Sequence, residues 1–198
     1  DPTRNVVSFL PGSRFSEIKR HEPIILKTAE KLHSLYPEIQ VVIPLLSGTV
    51  VQGIFPDYVT IVYDRTKEAV ASSEAVAVAS GTATLETALL GTPMVVFYRL
   101  SPMTFFLARL LVKVRFISLV NLISKKEIVK ELIQNNATAE NVFSELRKIL
   151  EDQDYRKNML SGLKRVRDIM GEKTASIQVA EIVGELAGWS RTAAALNG

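Results

Sequence analysis

Short runs of β-branched and other apolar residues alternate with helical stretches, and this alternation is the feature that most constrains the fold. Most of the runs are apolar throughout instead of alternating with polar residues, as expected for parallel strands that helices cover on both faces. The predicted strands are Val6–Leu10, Gln40–Leu45, Val59–Val62, Ala75–Ala79, Met94–Tyr98 and Phe116–Leu119. The pattern predicts an α/β fold built on a Rossmann-like, doubly wound parallel sheet.

Helices are predicted between these strands, and after Asn136 the sequence is predicted to contain helices only. Gly91 with Pro93 marks a helix end, because glycine readily adopts the left-handed conformation there and proline cannot continue the helix. The predicted helices are Pro23–Leu35, Lys67–Ser72, Ala83–Leu90, Thr104–Leu111, Glu127–Gln134, Ala139–Leu150, Tyr155–Met170 and Thr174–Leu186. We expect one domain over residues 1–172, and a C-terminal helix within residues 173–198 that packs on a missing N-terminal domain or a partner subunit.

The composition excludes several classes of function. Hydrophobic residues make up 47% of the chain and the net charge is only +3, which indicates a globular domain and no nucleic-acid partner. Cysteine is absent, so disulfides, thiolate metal sites and cysteine nucleophiles are excluded. His21 and His33 have no partner at metal-ligand spacing and are predicted to be solvated, and Asp152-Gln153-Asp154 lies between two helices. We therefore expect no metal and no cofactor.

The ends of the chain and its apolar stretches give no sign of a membrane span or a signal peptide. The longest charge-free stretch, residues 39–56, is interrupted by proline and glycine. A strand is predicted directly after the opening Asp1-Pro2, without a leading methionine. We interpret the chain as a domain cut from a longer protein.

Three polar stretches follow predicted strands, and the carboxyl ends of parallel strands lie on one rim of the sheet. Gly12 allows close backbone approach, Ser13 offers a hydroxyl, and Arg14 can bind phosphate oxygens through its guanidinium. The second stretch supplies free amides at a helix N-terminus, and its residues are Ser80, Gly81, Thr82 and Glu86. The third stretch supplies the amide side chain of Asn121. The combination predicts a site for a nucleotide diphosphate sugar, with Glu86 accepting hydrogen bonds from the ribose hydroxyls.

Each of these features has a simpler interpretation. Arg14 could pair with Glu17 in a surface turn, Glu86 could be a solvated residue favoured by the helix dipole, and Asn121 could be an ordinary turn residue. A further segment is rich in aromatic and basic residues: Phe105, Phe106, Arg109, Lys113 and Arg115. It is compatible with contact to an anionic bilayer surface or with a core helix whose cations reach into solvent.

The motifs together resemble the lipid-A-disaccharide synthase family, whose members are bacterial glycosyltransferases of the two-Rossmann-domain (GT-B) type. The resemblance rests on LPGSR at Leu10–Arg14, on SGTATLE and GTPMVVFYR within Ser80–Arg99, on LARLLVKV at Leu107–Val114, and on Asn121-Leu122. It implies a C-terminal half that binds UDP-2,3-diacylglucosamine, with Arg14 facing the diphosphate, Ser80–Thr82 cradling it, Glu86 holding the ribose and Asn121 touching the nucleotide.

The resemblance also implies an activity and a location. The family transfers diacylglucosamine to 2,3-diacylglucosamine 1-phosphate (lipid X), with inversion, at the cytoplasmic face of the inner membrane, and releases UDP without a metal. The general base would lie in the N-terminal half, so we expect the isolated chain to be inactive; a homodimer is also compatible. Two alternatives stay open: another UDP-sugar GT-B enzyme, such as an epimerase or an N-acetylglucosaminyl transferase, and a non-catalytic nucleotide-binding module.

Overall fold

The computed structural model describes residues 5–49, 55–79, 81–101 and 115–171. Within these residues all strands belong to a single sheet, and every neighbouring pair is parallel. The strands are β1 (Val6–Leu10), β2 (Gln40–Leu45), β3 (Val59–Tyr63), β4 (Ser73–Ala79), β5 (Met94–Tyr98) and β6 (Glu131–Ile133). Their order across the sheet is β3-β2-β1-β4-β5-β6, so the direction of winding reverses between β1 and β4. This is the strand order of the Rossmann fold.

The described helices follow the predicted alternation and then form a helical tail. They are α1 (Phe15–Leu35), α2 (Thr66–Ala71), α3 (Thr82–Leu90), α4 (Leu119–Ser124), α5 (Ala139–Glu151) and α6 (Gln153–Gly171). Gly91 ends α3 with a φ of 76°, which confirms the predicted glycine stop. The predicted helices Thr104–Leu111 and Thr174–Leu186 lie outside the described residues. None of the described helices is long and apolar enough to span a bilayer.

The prediction for the last strand and the helix after it is wrong. Residues predicted as the strand Phe116–Leu119 lead instead into α4, because the Ser118 hydroxyl accepts a hydrogen bond from the Asn121 amide and starts the helix. The predicted helix Glu127–Gln134 contains β6 instead, which pairs with β5 at the edge of the sheet. Only the central residue of β6, Leu132, is buried, so the strand leaves almost no apolar pattern in the sequence.

Helix α1 begins eight residues before the predicted start at Pro23, at Phe15. The amides of Glu17 and Ile18 both donate to the Arg14 carbonyl and form its first turn. Proline is common at the first position of a helix, but here Pro23 lies inside α1. As a result, the amino end of α1 directly follows the turn after β1.

The core lies between the sheet and the helices on its two faces. Phe9 and Phe97, on β1 and β5, are completely buried, and so are Leu146 of α5 and Leu163 of α6. At about 25 cal/mol per Å² of apolar surface removed from water, this layer supplies the main stabilising free energy of the fold. The rigid sheet therefore fixes where the carboxyl ends of β1, β4 and β5 lie.

Candidate functional site

A cavity of about 450 Å³ opens at the carboxyl ends of β1, β2, β4 and β5. It lies at the point where the strand order reverses, which is the usual ligand position in doubly wound sheets. The residues that line it are Leu10, Pro11, Gly12, Ser13, Arg14, Glu17, Pro44, Leu45, Leu46, Thr66, Ala79, Gly81, Thr82, Ala83 and Tyr98. The fold thus brings the first two predicted polar stretches together around one cavity.

The turn after β1 carries three of the predicted residues: Gly12, Ser13 and Arg14. Gly12 has a φ of 107°, a conformation that disfavours every residue with a Cβ. A Cβ at this position would also lie 2.7 Å from Glu17 Oε2. The Arg14 side chain is 80% exposed, and its Nη1 atom lies 3.7 Å from Glu17 Oε1. The pairing of Arg14 with Glu17 is therefore present, but it leaves the guanidinium accessible from the cavity.

Glu17 and Tyr98 are lining residues that the sequence reasoning did not assign to the site. The Tyr98 hydroxyl donates a hydrogen bond to Glu17 Oε1 at 2.8 Å, and the Arg14 amide donates to Glu17 Oε2 at 3.4 Å. Burial, and then the hydrogen bond to Glu17, raises the pKa of Tyr98 to about 12. The carboxylate thus connects the turn after β1 to the end of β5. The position of Glu17 in the first turn of α1 was the available signal.

The amino end of α3 forms the opposite wall of the cavity. Gly81 precedes the helix with a φ of 132° and provides no side chain to cap the first-turn amides. Its carbonyl accepts hydrogen bonds from the Thr84 amide and hydroxyl, which fixes the direction of the helix. The amides of Thr82 and Ala83 therefore have no capping side chain from Gly81 and lie at the positive end of the helix dipole. Ser80 lies outside the described residues.

Glu86 lies further along α3, exposed, and does not line the cavity. Its predicted contact with a ribose stays a prediction.

Asn121 is completely buried in α4 and is not a turn residue. Its Nδ2 atom donates to the Val129 carbonyl and to Glu131 Oε1, both at 2.8 Å. Its Oδ1 atom accepts from the amides of Ile128 and Val129 at 2.7 and 3.1 Å. These bonds use both donors and both acceptor positions of the amide. Asn121 therefore holds the segment before β6, and its predicted contact with a nucleotide stays a prediction.

The prediction that His21 is solvated is wrong. Its side chain is completely buried on α1, because it lies on the same helix face as Ile18 and Ile25. His33 is partly buried, and its ring stacks on Tyr58 with 4.1 Å between ring centroids.

Of the residues proposed to face a membrane, Phe105, Phe106, Arg109 and Lys113 lie outside the described part of the chain. Arg115 is described and exposed, and its guanidinium lies 5.2 Å from the centre of the Phe116 ring.

The described residues contain no group of three or more side chains arranged to bind a metal ion. Asp152, the first residue of the Asp-Gln-Asp sequence, accepts a hydrogen bond from the Tyr155 amide at 2.9 Å. It therefore caps the start of α6, which accounts for an aspartate at this position.

A family model described as lipid-A-disaccharide synthetase matches residues 1–183. The chain belongs to this family. A lipid-A-disaccharide synthase of Geobacter metallireducens is 39% identical over 197 residues, which cover 96% of this chain and 51% of that protein. The corresponding protein of Geobacter sulfurreducens is 37% identical over 194 residues, covering 95% of this chain and 50% of the relative. The chain therefore spans about half the length of the curated relatives it matches.

Solved glycosyltransferases share the fold of this member of the lipid-A-disaccharide synthetase family. The calicheamicin glycosyltransferase CalG4 matches with a TM-score of 0.59 and 17% identity, over 94% of this chain and 44% of that one. The spinosyn rhamnosyltransferase SpnG, complexed with thymidine diphosphate, matches with a TM-score of 0.57 and 19% identity, over 90% of this chain and 45% of that one. At these identities the likeness concerns the fold alone, and it confirms the predicted GT-B type of Rossmann-like domain.

Proposed function

We propose that this chain forms the nucleotide-sugar-binding half of a lipid-A-disaccharide synthase and binds the UDP moiety of UDP-2,3-diacylglucosamine. The observation that carries the proposal is the position of the cavity, between the turn bearing Arg14 and the uncapped amino end of α3. Both walls offer donors to an anion, and a crevice at the switch point of a doubly wound sheet is a usual nucleotide site. Family membership supports the choice of the donor sugar.

In this proposal the diphosphate lies between the two walls. The amides of Thr82 and Ala83 and the Ser13 hydroxyl donate to its oxygens, and Ser80 is a further proposed ligand of the same group. Arg14 leaves Glu17 and binds the phosphate directly, a contact worth about 1.5–3 kcal/mol. Glu86 accepts hydrogen bonds from the ribose hydroxyls. We propose no nucleotide contact for Asn121, because its amide already makes four hydrogen bonds within the fold.

The proposed reaction is glycosyl transfer with inversion at the anomeric carbon. The hydroxyl of lipid X attacks this carbon and gives its proton to a general base, the bond to the diphosphate breaks, and UDP leaves. Arg14 and the amides at the start of α3 would stabilise the charge that develops on the departing UDP, because these donors are already oriented. The general base is assigned to the other half of the family protein. The chain alone is therefore expected to bind UDP with little or no turnover.

The test is a calorimetric titration of the chain with UDP, CMP and GDP. We expect UDP to bind tightest and Arg14→Ala to weaken it by about tenfold or more, the loss of one arginine–phosphate contact. Arg147→Ala is the matched control, because Arg147 is also an exposed arginine that pairs with a glutamate on its own helix, away from the cavity. Equal affinity for the three nucleotides, or an equal effect of the two alanine variants, would contradict the proposal.

We also propose that the full enzyme works as a peripheral protein at the inner membrane of a bacterial cell, since both of its proposed substrates carry acyl chains. Residues Phe105, Phe106, Arg109, Lys113 and Arg115 are the proposed contact. Sedimentation with vesicles containing anionic lipid should recover the wild type, and a variant with alanine at Phe105, Phe106 and Arg109 should stay in solution. Sedimentation of both forms to the same extent would rule out this contact.

Residues 173–198 are proposed to pack on the other half of the enzyme or on a second subunit. Light scattering of the chain with and without these residues tests the second possibility. If the number of chains per particle is the same with and without these residues, a dimer held by this segment is excluded.

A further inference from the structure

His21 is a buried titratable group that the proposed reaction does not use. Its side chain is completely buried, and its ring contacts the rings of Phe97 and Tyr98 at centroid distances of 5.1 and 5.4 Å. It lies one helical turn after Glu17 on α1. Both nitrogens of its ring bind main-chain atoms of the loops that surround the cavity. A buried polar ring in such a place is costly unless these bonds are made.

The two hydrogen bonds determine the tautomer of the ring. Nδ1 lies 2.7 Å from the Pro11 carbonyl oxygen, which can only accept, so Nδ1 carries a hydrogen. Nε2 lies 3.1 Å from the Arg99 amide, which can only donate, so Nε2 carries none. The ring is therefore neutral, with its hydrogen on Nδ1. A second proton, on Nε2, would point at the Arg99 amide hydrogen and break this contact.

His21 joins the turn after β1 to the segment after β5, and both border the cavity. Pro11 begins the turn that carries Gly12, Ser13 and Arg14, and Arg99 directly follows the cavity residue Tyr98. The Arg99 carbonyl accepts a hydrogen bond from Arg20 Nη1 at 3.3 Å, and the Arg99 side chain donates from Nε to the Gln134 carbonyl at 3.2 Å. The β5 side of the connection is thus immobilised by several bonds, whereas the described contact that ties the Pro11 carbonyl to it runs through His21.

We propose that His21 is a positioning residue for the anion-binding turn: its neutral ring holds Pro11 against the end of β5 and so presents Gly12, Ser13 and Arg14 to the cavity. The proposal deepens the proposed function and rests on it where nucleotide affinity is concerned. His21 acts through the main chain of the turn and does not itself line the cavity.

The charged and titratable groups around the ring act in opposing directions. Burial is the largest influence and lowers the pKa of His21 below its ordinary value of 6.5. The hydrogen bond to Pro11 and the charge of Glu17 act to raise this pKa, and the charge of Arg20 acts to lower it further. Tyr98, packed against the ring, has its pKa raised to about 12 and is uncharged at neutral pH. His21 is therefore neutral at pH 7, and the connection between the loops is lost only at a pH below 6.5.

The first experiment uses the chain without nucleotide. The chain contains two histidines, so in a His33→Gln variant the imidazole nitrogen resonances belong to His21 alone. We expect the Nδ1-protonated tautomer at neutral pH, and movement of the Gly12 and Arg99 amide resonances at the pH where the ring takes up a proton. A hydrogen on Nε2 at neutral pH, or Gly12 and Arg99 resonances that ignore this protonation, would overturn the proposal.

The second experiment is titration with UDP, for the wild type and for variants at both histidines. His21→Leu removes both hydrogen bonds of the ring and should lower the affinity for UDP by about tenfold. His21→Gln keeps a donor and an acceptor that do not titrate, and it should restore most of the affinity for UDP. When the pH falls below 6.5, the affinity of this variant should fall less than that of the wild type. Titration of the UDP phosphate itself, with a pKa near 6, affects both proteins equally. His33 stacks on Tyr58 and is the control position, so His33→Gln should bind UDP as tightly as the wild type.

The outcomes separate the two proposals. If the wild type does not bind UDP, the nucleotide proposal fails, and the positioning role is decided by the Gly12 and Arg99 resonances alone. If the wild type binds UDP and His21→Leu binds it equally well, the positioning role fails. If His21→Leu does not fold, the comparison of His21→Gln with the wild type below pH 6.5 decides, because a difference in their pH profiles supports the role and identical profiles refute it.

Discussion

Gly12→Ala is the substitution whose effect can be worked out most fully from the structure. Gly12 has a φ of 107°, where a residue with a Cβ is strained by about 1–3 kcal/mol. The added Cβ would also lie 2.7 Å from Glu17 Oε2 and 3.2 Å from Glu17 Cβ. The carboxylate can rotate away, but it then loses the hydrogen bond from Tyr98, which contributes about 1.5–3 kcal/mol because the acceptor is charged.

The two costs together amount to about 2.5–6 kcal/mol, a large fraction of the free energy of unfolding of an ordinary domain. For a chain of this size we expect the melting temperature to fall on the order of 10 °C. We also expect weaker UDP binding at a temperature where the variant is folded, because the same turn presents Ser13 and Arg14 to the cavity.

Gly48→Ala is the matched control for backbone strain. Gly48 has a φ of 82°, no atom lies within 4 Å of the added Cβ, and it does not line the cavity. Thermal unfolding should show a smaller loss for Gly48→Ala than for Gly12→Ala, with UDP affinity unchanged. The double variant Gly12→Ala with Glu17→Ala should be less destabilised than the sum of the single variants, because the overlap with the carboxylate is gone and the hydrogen bond from Tyr98 is lost only once. Equal losses for the two glycine variants, or simple additivity in the double variant, would show that Glu17 does not restrict the turn.

Three further predictions follow from the same contacts. Glu17→Gln keeps the hydrogen-bond geometry but removes a negative charge from the cavity wall, so UDP should bind about threefold to tenfold tighter in calorimetry; weaker binding would contradict this. Asn121→Ala removes the hydrogen-bond partner of the Ile128 amide and of the Val129 amide and carbonyl, whereas Glu131 Oε1 still accepts from Ser118. It should lower the free energy of unfolding by about 3 kcal/mol or more in urea titrations, with UDP affinity of the folded chain unchanged; lost affinity in a stable variant would place Asn121 in the site. Because the folded-state pKa of His21 is lowered, the unfolded chain binds the extra proton first, so the wild type should lose stability as the pH falls below 6.5 while His21→Gln loses less; parallel melting curves across this range would refute the assignment.

The strands of the sheet centre were predictable because their signal is physical and local. The strands β1, β2, β4 and β5 are covered by helices on both faces and are therefore mostly apolar, and Gly91 marks a helix end by its own conformation. The turn at Gly12–Arg14 and the start of α3 at Thr82 were found for the same reason, since small and hydroxyl residues directly follow such strands.

The errors occurred where tertiary contacts override local pattern. The edge strand β6 has three residues and one buried side chain, too few to show a period, and the apolar residues before α4 resemble a strand until Ser118 caps the helix. The burial of Asn121 was not foreseen, because its partners near β6 are up to ten residues away in sequence. His21 could have been recognised as buried, because Ile18, His21 and Ile25 recur at helical spacing, but only over a helix that passes through Pro23.

If the cavity binds a diphosphate as proposed, its lining residues must select this group without a net positive charge of their own. Among the lining residues, Arg14 and Glu17 are the charged pair, so their full charges cancel and the remaining attraction comes from amides at the start of α3. The contact between the pair spans 3.7 Å with the guanidinium 80% exposed, and such a surface pair contributes at most about 1 kcal/mol. A phosphate that binds Arg14 gains about 1.5–3 kcal/mol and therefore displaces Glu17. A ligand carboxylate at Arg14 would only exchange one carboxylate for another and would bind weakly. In the proposed complex, one phosphate binds Arg14 and the second binds the α3 amides, and the second contact would make the cavity selective for a diphosphate.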